Sequence, residues 1–281
     1  MRAMLSKCEV YAADHNIMFS TDPDPRKSKT KCIYVVGKEK NLPKPAPLIL
    51  CGRELPWVST ATHLGHELHE SGEMEHDACV KRSVFIRQSV EIREAFYFAS
   101  PVEILSALKV YCSSHYGCML WNLGGDKAGQ LFNAWNTAIK LTWGVPRGTR
   151  TYLVQQVLAP GMTSAKVDIL ARFGSFFRGL RDSPSHEVAV MANLAGRDIR
   201  STTGKNLALV RDSSGLDPWV FGSARLKEEL AKHETVDPPP QDQWRVKYLG
   251  SLFEQRQGKY YRGDREGVTR INELIDSLCV N

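Results

Sequence analysis

No apolar stretch in this sequence approaches the roughly 20 residues that a membrane-crossing helix requires, and no Asn-x-Ser/Thr sequon occurs. The opening residues, Met1 to Lys7, lack a signal-peptide apolar core, and Asp14 and His15 soon interrupt the segment with polar groups. No Cys-x-x-Cys pair exists among the seven cysteines, which stand scattered at 8, 32, 51, 79, 112, 118 and 279. That odd, dispersed set excludes a dense disulfide scaffold and predicts mostly buried thiols in an intracellular protein, of cytoplasm or nucleus. Gly-x-Ser-x-Gly, Gly-x-Gly-x-x-Gly and His-Glu-x-x-His are missing, as are any Asp-Asp pair and any fixed-period repeat. What is present is ordinary in amount: 281 residues, 42% hydrophobic and 24% charged, with a net charge of +6. Such a chain affords a sizeable core in one large or two smaller domains, and its mild basic tilt is compatible with nucleic acid.

The first 75 residues differ in texture from the rest. Residues 1–15 predict a helix, with Leu5, Cys8, Tyr11 and Ala12 on one face. Thr21 to Pro25 stops any regular element, because two prolines crowd five positions. Cys32 to Val36 is a β-branched, aromatic run that predicts a buried strand, and Gly37 to Pro47 a polar loop. Leu48 to Cys51 and Leu55 to Val58, flanking Gly52-Arg53, predict a hairpin.

From residue 76 the pattern is helical. Phe85, Ser89, Ile92 and Phe96 follow helical spacing. Ser100, Pro101 and Glu103 spell a capping box with proline at the first helical position, and Val102, Leu105, Leu108 and Cys112 then point inward. Asp126 to Trp143 carries Leu131, Trp135, Ala138 and Thr142 in register and ends at Gly144. Further helices are expected over 151–158, 164–181, 185–195 and 218–232, the last opened by Asp217-Pro218. An extended proline spacer comes next at Val236 to Gln241, then two closing helices, one through Trp244, Tyr248 and Leu252, the other through Ile271 and Ile275. The expected fold class is α+β: a small β-containing piece followed by a mainly α-helical array.

Few residues here suggest chemistry. His63, His66, His69, His76 and Cys79 crowd one stretch, but His66 and His69 are three apart rather than four, so no metal site is assigned. Gly204-Lys205-Asn206 echoes a phosphate loop without its upstream glycine or its magnesium-binding hydroxyl. Arg82 and Arg93 are eleven residues apart, about three turns, and so share a helix face with Ser89 between them. That face is expected to be polar and able to lie along a phosphate backbone.

Taken in order, these segments resemble the later part of reverse transcriptases encoded by non-LTR retrotransposons. Cys8 to Phe19 resembles the palm helix and extended segment after the catalytic turn. Lys27-Ser28-Lys29-Thr30-Lys31-Cys32 resembles a palm signature, and Leu48 to Val58 with His63-Leu64-Gly65-His66 resembles the strand pair ending in the primer grip. Lys81 to Phe96, Tyr111 to Gly117 and Leu120-Trp121 resemble thumb helices, and Trp143 to Arg147 with Thr149 to Tyr152 extends the similarity to about residue 155.

The resemblance implies a remnant of palm sheet over 1–75, a thumb-like helical bundle over 76–155 and a helical extension over 156–281. It implies that Lys29 lies near departing pyrophosphate, that His63, Leu64 and Gly65 set the primer end, and that Arg82 and Arg93 contact phosphates of an RNA/DNA template–primer. The family's two metal-binding aspartates, which would hold magnesium, have no counterpart, since Asp14, Asp22 and Asp24 lie in a helix and a proline-broken loop. The chain is therefore expected to need no cofactor, to be inactive alone and to stem from a truncated element or partial gene model, with the Ile33–Val36 strand left as an unpaired edge. The reading from another class is a helical interaction or nucleic-acid-binding module without catalysis. Neither reading fixes an oligomeric state.

Overall fold

The computed structural model describes residues 2–35, 45–159, 161–219, 223–234 and 238–280. The chain forms two compact units, Met1–Asp77 and Ala78–Asn281. In the first, helix α1 (Arg2–Asp14) precedes two separate antiparallel hairpins. Strand β1 (Ile49–Leu50) pairs with β2 (Arg53–Glu54), and β3 (Thr60–His63) pairs with β4 (His66–His69). Both hairpins turn through two residues at positive φ, Cys51-Gly52 and Leu64-Gly65, the handedness that matches the right-handed twist of the flanking strands. The core here is small: Leu48, Leu50 and Leu55, with Leu5, Phe19, Cys32 and Trp57 packed against them. Glu9 of α1 also accepts a hydrogen bond from the Cys51 amide at the first hairpin's turn.

Two sequence expectations change in this unit. Cys32 to Val35 is not a strand. Cys32 alone forms a parallel bridge, its N–H donating to Pro56 O and its carbonyl accepting from Val58 N, both at 2.9 Å. Val35 is 54% exposed, and Val36 lies outside the described residues. Propensity for extended backbone becomes a strand only where a partner edge is offered, and here one residue's worth is offered. The first hairpin also turns one residue earlier than expected, so Arg53 opposes Leu50 and the second arm begins before Leu55.

The second unit is all helical among the described residues. Helix α2 (Glu75–Ala95) leads into α3 (Pro101–Cys112), whose capping box is complete: Ser100 Oγ accepts from Glu103 N and Glu103 accepts from Ser100 N. Helix α4 (Asp126–Trp143) ends at Gly144, where φ is +67° and Val145 N reaches back to Lys140 O. A short α5 (Thr151–Leu153) widens into a π turn over Val154–Leu158. Helix α6 (Ala165–Arg181) is the axis of the unit. Val167, Ile169, Leu170, Phe173 and Phe177 are buried along it, and α4, α7 (His186–Arg197), α8 (Thr202–Ser214) and α9 (Ser223–Glu234) pack around it. Helices α10 (Gln243–Tyr261) and α11 (Arg265–Val280) close the chain as a pair. The segments expected on either side of residue 155 thus belong to one unit, tied by Trp143 Nε1 donating to Leu158 O at 2.6 Å and by Arg150 and Tyr152 on the buried carboxylate of Asp242.

Several helical details differ from expectation. Helix α8 was not expected, although Ser201 caps it, its side chain accepting from Gly204 N. Gly204 is there for packing, because a Cβ would stand 2.2 Å from Asp198 O. Asn206 is a buried clamp, accepting from Leu123 N and donating to Trp121 O. Helix α9 starts at Ser223, and Asp217 instead accepts from Trp219 N in a turn; residues 220–222 lie outside the described set. Pro240 opens a 3-10 turn rather than continuing an extended spacer, residues 236 and 237 of which lie outside the described residues. Val102 faces solvent and Ile104 takes the inward place, while on α10 the buried apolar residues are Leu249, Leu252 and Phe253 rather than Trp244 and Tyr248. All seven cysteines are free thiols, with Cys112, Cys118 and Cys279 buried.

Candidate nucleic-acid interface

The His63-Leu64-Gly65 turn stands at the tip of the β3–β4 hairpin. Register pairs His63 with His66 and Thr62 with Glu67, so the two-residue loop is Leu64-Gly65 with φ of +49° and +80°. Glycine meets that demand freely; leucine does so at a steric cost. Leu64 is nevertheless 73% exposed, so no packing in the unit repays its conformation. One rung from the tip the hairpin is held by Asp77, in the first turn of α2 and fully buried, which accepts from Glu67 N at 3.0 Å. His66 Nδ1 lies 3.6 Å from the same carboxylate. The tip is thus an exposed, left-handed turn whose adjoining rungs are anchored on Asp77.

Lys29 projects from a separate loop. Buried Ser28 donates to Ser20 O at 3.2 Å and Thr30 O at 2.6 Å, and Thr30 N donates to Ser20 O, closing the segment on itself. Lys29 is left exposed between those anchors. Asp22 and Asp24 spend their carboxylates locally: Asp22 accepts from Asp24 N, and Arg26 beside Asp24 holds its carboxyl below the usual range.

Arg82 and Arg93 do share a face of α2, but that face is packed rather than open. Ser89 between them is 6% exposed with its hydroxyl turned onto Ile86 O, and Phe85 beside it is buried against Trp135. Both arginines are half-buried, and neither has an ion-pair partner among the described residues. Arg82 Nε has no hydrogen bond among them either. The outward positions of the helix are instead Ile86, Arg87, Val90 and Glu91. The structure therefore brings His63, Leu64 and Gly65 together, puts Arg82 and Arg93 on one half-buried stripe, and leaves Lys29 on its own loop.

The histidine-rich stretch does not converge. His69 bonds Ser71, its ring lies tilted against His76 with centroids 5.7 Å apart, and among the described residues no three His, Cys, Asp or Glu side chains are placed to hold a metal ion. A basic cleft of about 570 Å³ is a feature that sequence reasoning missed. Lys109, Arg172 and Lys227 reach it from α3, α6 and α9 around Asp168, which pairs with Lys227 at 2.6 Å. Beneath it His115, 3% exposed, has no partner for Nε2 among the described residues; burial first, then the Arg172 charge, pulls its pKa to about 4. No local signal announces this cleft, because its cations stand on three helices far apart in sequence. Comparison with protein-family models, with curated proteins and with solved structures finds no match to the chain.

Proposed function

We propose that this chain is a piece of a reverse transcriptase of a non-LTR retrotransposon, spanning palm end, thumb and helical extension, and that it holds template–primer without copying it. The observation that carries the reading is the ordered run from Lys27–Cys32 through Leu48–Val58 and His63–His66 into the α2–α4 segment. The exposed tip is consistent with it: strain at an exposed turn persists where contact with something outside the unit makes use of it. Magnesium would belong to aspartates this sequence lacks, so the chain's own part is positioning: His63-Leu64-Gly65 at a primer end, Lys29 near phosphate, and Arg82 and Arg93 reaching the backbone only with the exposed part of their half-buried side chains.

The test is a salt-titrated binding measurement with RNA/DNA primer–template duplex. Binding should be independent of sequence, with log K falling linearly against log salt and the slope dropping by about one for each phosphate contact removed, as in Lys29→Ala or Arg93→Ala. Leu64→Asn, which suits the left-handed turn better, should stabilise the hairpin while weakening binding. Absence of duplex binding at low salt, or magnesium-dependent primer extension by the purified chain, would overturn the proposal.

A second reading, a helical interaction module, is favoured by apolar residues left in solvent on and before α3: Tyr97, Phe98, Val102, Val110 and Tyr111. Self-association or partner capture lost in Val110→Lys, with duplex binding absent, would select it.

A further inference from the structure

Arg256 of α10 is 9% exposed, yet no carboxylate stands within ion-pair distance of it among the described residues. Asp276 acts on it only at a distance, and burial brings its pKa down to about 10. Part of its setting is structural. Nη1 donates to Trp143 O at 2.8 Å, in the last turn of α4, and to Asn272 Oδ1 at 2.9 Å. The guanidinium also lies near the rings of Trp143 and Phe253, 5.2 and 5.0 Å from their centroids. A cation at a helix C-terminus is favourable, and aromatic faces add to this.

That role employs one nitrogen of three. Nε and Nη2 have no hydrogen-bond partner among the described residues, and these two form the parallel donor edge of a guanidinium that fits a carboxylate. Arg256 lines a cavity of about 270 Å³. The other walls are mostly apolar, from Pro101, Ile104, Leu141, Trp143 and Val268, with the amides of Gln257 and Asn272 as polar neighbours. A cavity of about 150 Å³ suffices for a benzene ring, so this one has room for a ring and one substituent. A buried cation short of a counter-charge, beside an apolar space of this size, is half of an ion pair.

We propose that this cavity is a binding site for a small carboxylate with a flat apolar body, the carboxylate seated on the Nε/Nη2 edge of Arg256 and the body against Trp143, Ile104 and Val268. The ligand class is set by the walls: the planar edge selects a planar anion, and the apolar lining rejects a compact, fully hydrated one such as inorganic phosphate. The site is independent of the template–primer reading.

Calorimetric titration of the full chain with benzoate, benzamide and inorganic phosphate tests it. Benzoate should bind saturably, and benzamide, of the same shape without the charge, should bind at least about tenfold more weakly. Phosphate should not compete. Val268→Phe, which fills the space and leaves Arg256 in place, should abolish binding, and Arg256→Lys, which keeps the charge but not the donor edge, should lose most of it. Should Arg256→Lys fail to fold, the benzoate-to-benzamide ratio and Val268→Phe decide alone. Equal affinity for benzoate and benzamide, phosphate binding as tight as benzoate, full binding in folded Arg256→Lys or Val268→Phe, or no saturable benzoate binding would each overturn the assignment.

Discussion

The first unit holds its shape with a few placed hydrogen bonds: Asp77 on the Glu67 amide, Ser28 on Ser20 and Thr30, Cys32 bridged beside Trp57, around a core of three leucines. The second unit holds its shape by burial, with Trp121, Phe85, Phe173 and Phe177 almost wholly out of water and α6 surrounded by other helices. The polar positions proposed for the primer end and the pyrophosphate, His63 and Lys29, sit where burial is thin. The sites that only folding assembles, the Arg256 cavity and the His115 cleft, sit where it is deep. An exposed turn can be strained and specific only if something beneath fixes it, whereas a buried charge acquires its character from everything around it.

The contrast can be broken in order of expected effect. Phe177→Ala should cost the second unit about 4 kcal/mol, through lost transfer energy and the cavity left beside Trp219 and Phe173, read as a fall in the denaturation midpoint. Amide exchange in the β3–β4 hairpin should be unaffected, and joint loss of both units would remove the distinction between them.

Next comes a pH effect confined to the second unit. His115 folds with a pKa near 4 against about 6.5 unfolded, so the unfolded chain binds the extra proton between those values. Stability from this group is fully present above about pH 6.5, falls as pH drops toward 4 and is flat below, by at most about 3 kcal/mol. Denaturation midpoints from pH 7.5 to 4 should show that slope, and His115→Gln should flatten it.

Asp77→Ala tests the other style of construction. Loss of a buried acceptor to Glu67 N should cost about 2 kcal/mol, seen as faster hydrogen exchange at Glu67 beside the hairpin turn with little change in the helical unit's midpoint. Smallest is Ser100→Ala, which removes the α3 cap for about 1 kcal/mol in thermal melts.

Legibility in the sequence tracked the range of the interaction. Ser100 with Glu103, Gly144 after Trp143 and the Asp126–Trp143 periodicity are decided within a turn or two, and each was readable. The Ser201 cap of α8 is equally local, but Gly204-Lys205-Asn206 imitates a phosphate loop, whereas Gly204 allows a close approach to Asp198 O and Asn206 bonds Leu123 and Trp121. Cys32 to Val35 could not be read correctly, since strand formation depends on an edge more than twenty residues away. Equal spacing of Arg82 and Arg93 indicated the shared face of α2, but not that Phe85 and Ser89 bury it.

By itself, then, the order of residues determined the capping box of α3, the glycine stop of α4 and the periodicity between them, because capping, backbone handedness and residue type act on near neighbours. Tertiary structure alone decided which stripe of α2 meets the core, where Lys109, Arg172 and Lys227 gather, and that Arg256 is buried with an open donor edge. Those outcomes depend on solvent exclusion and on partners brought from distant positions, and neither is encoded within reach of a single helical turn.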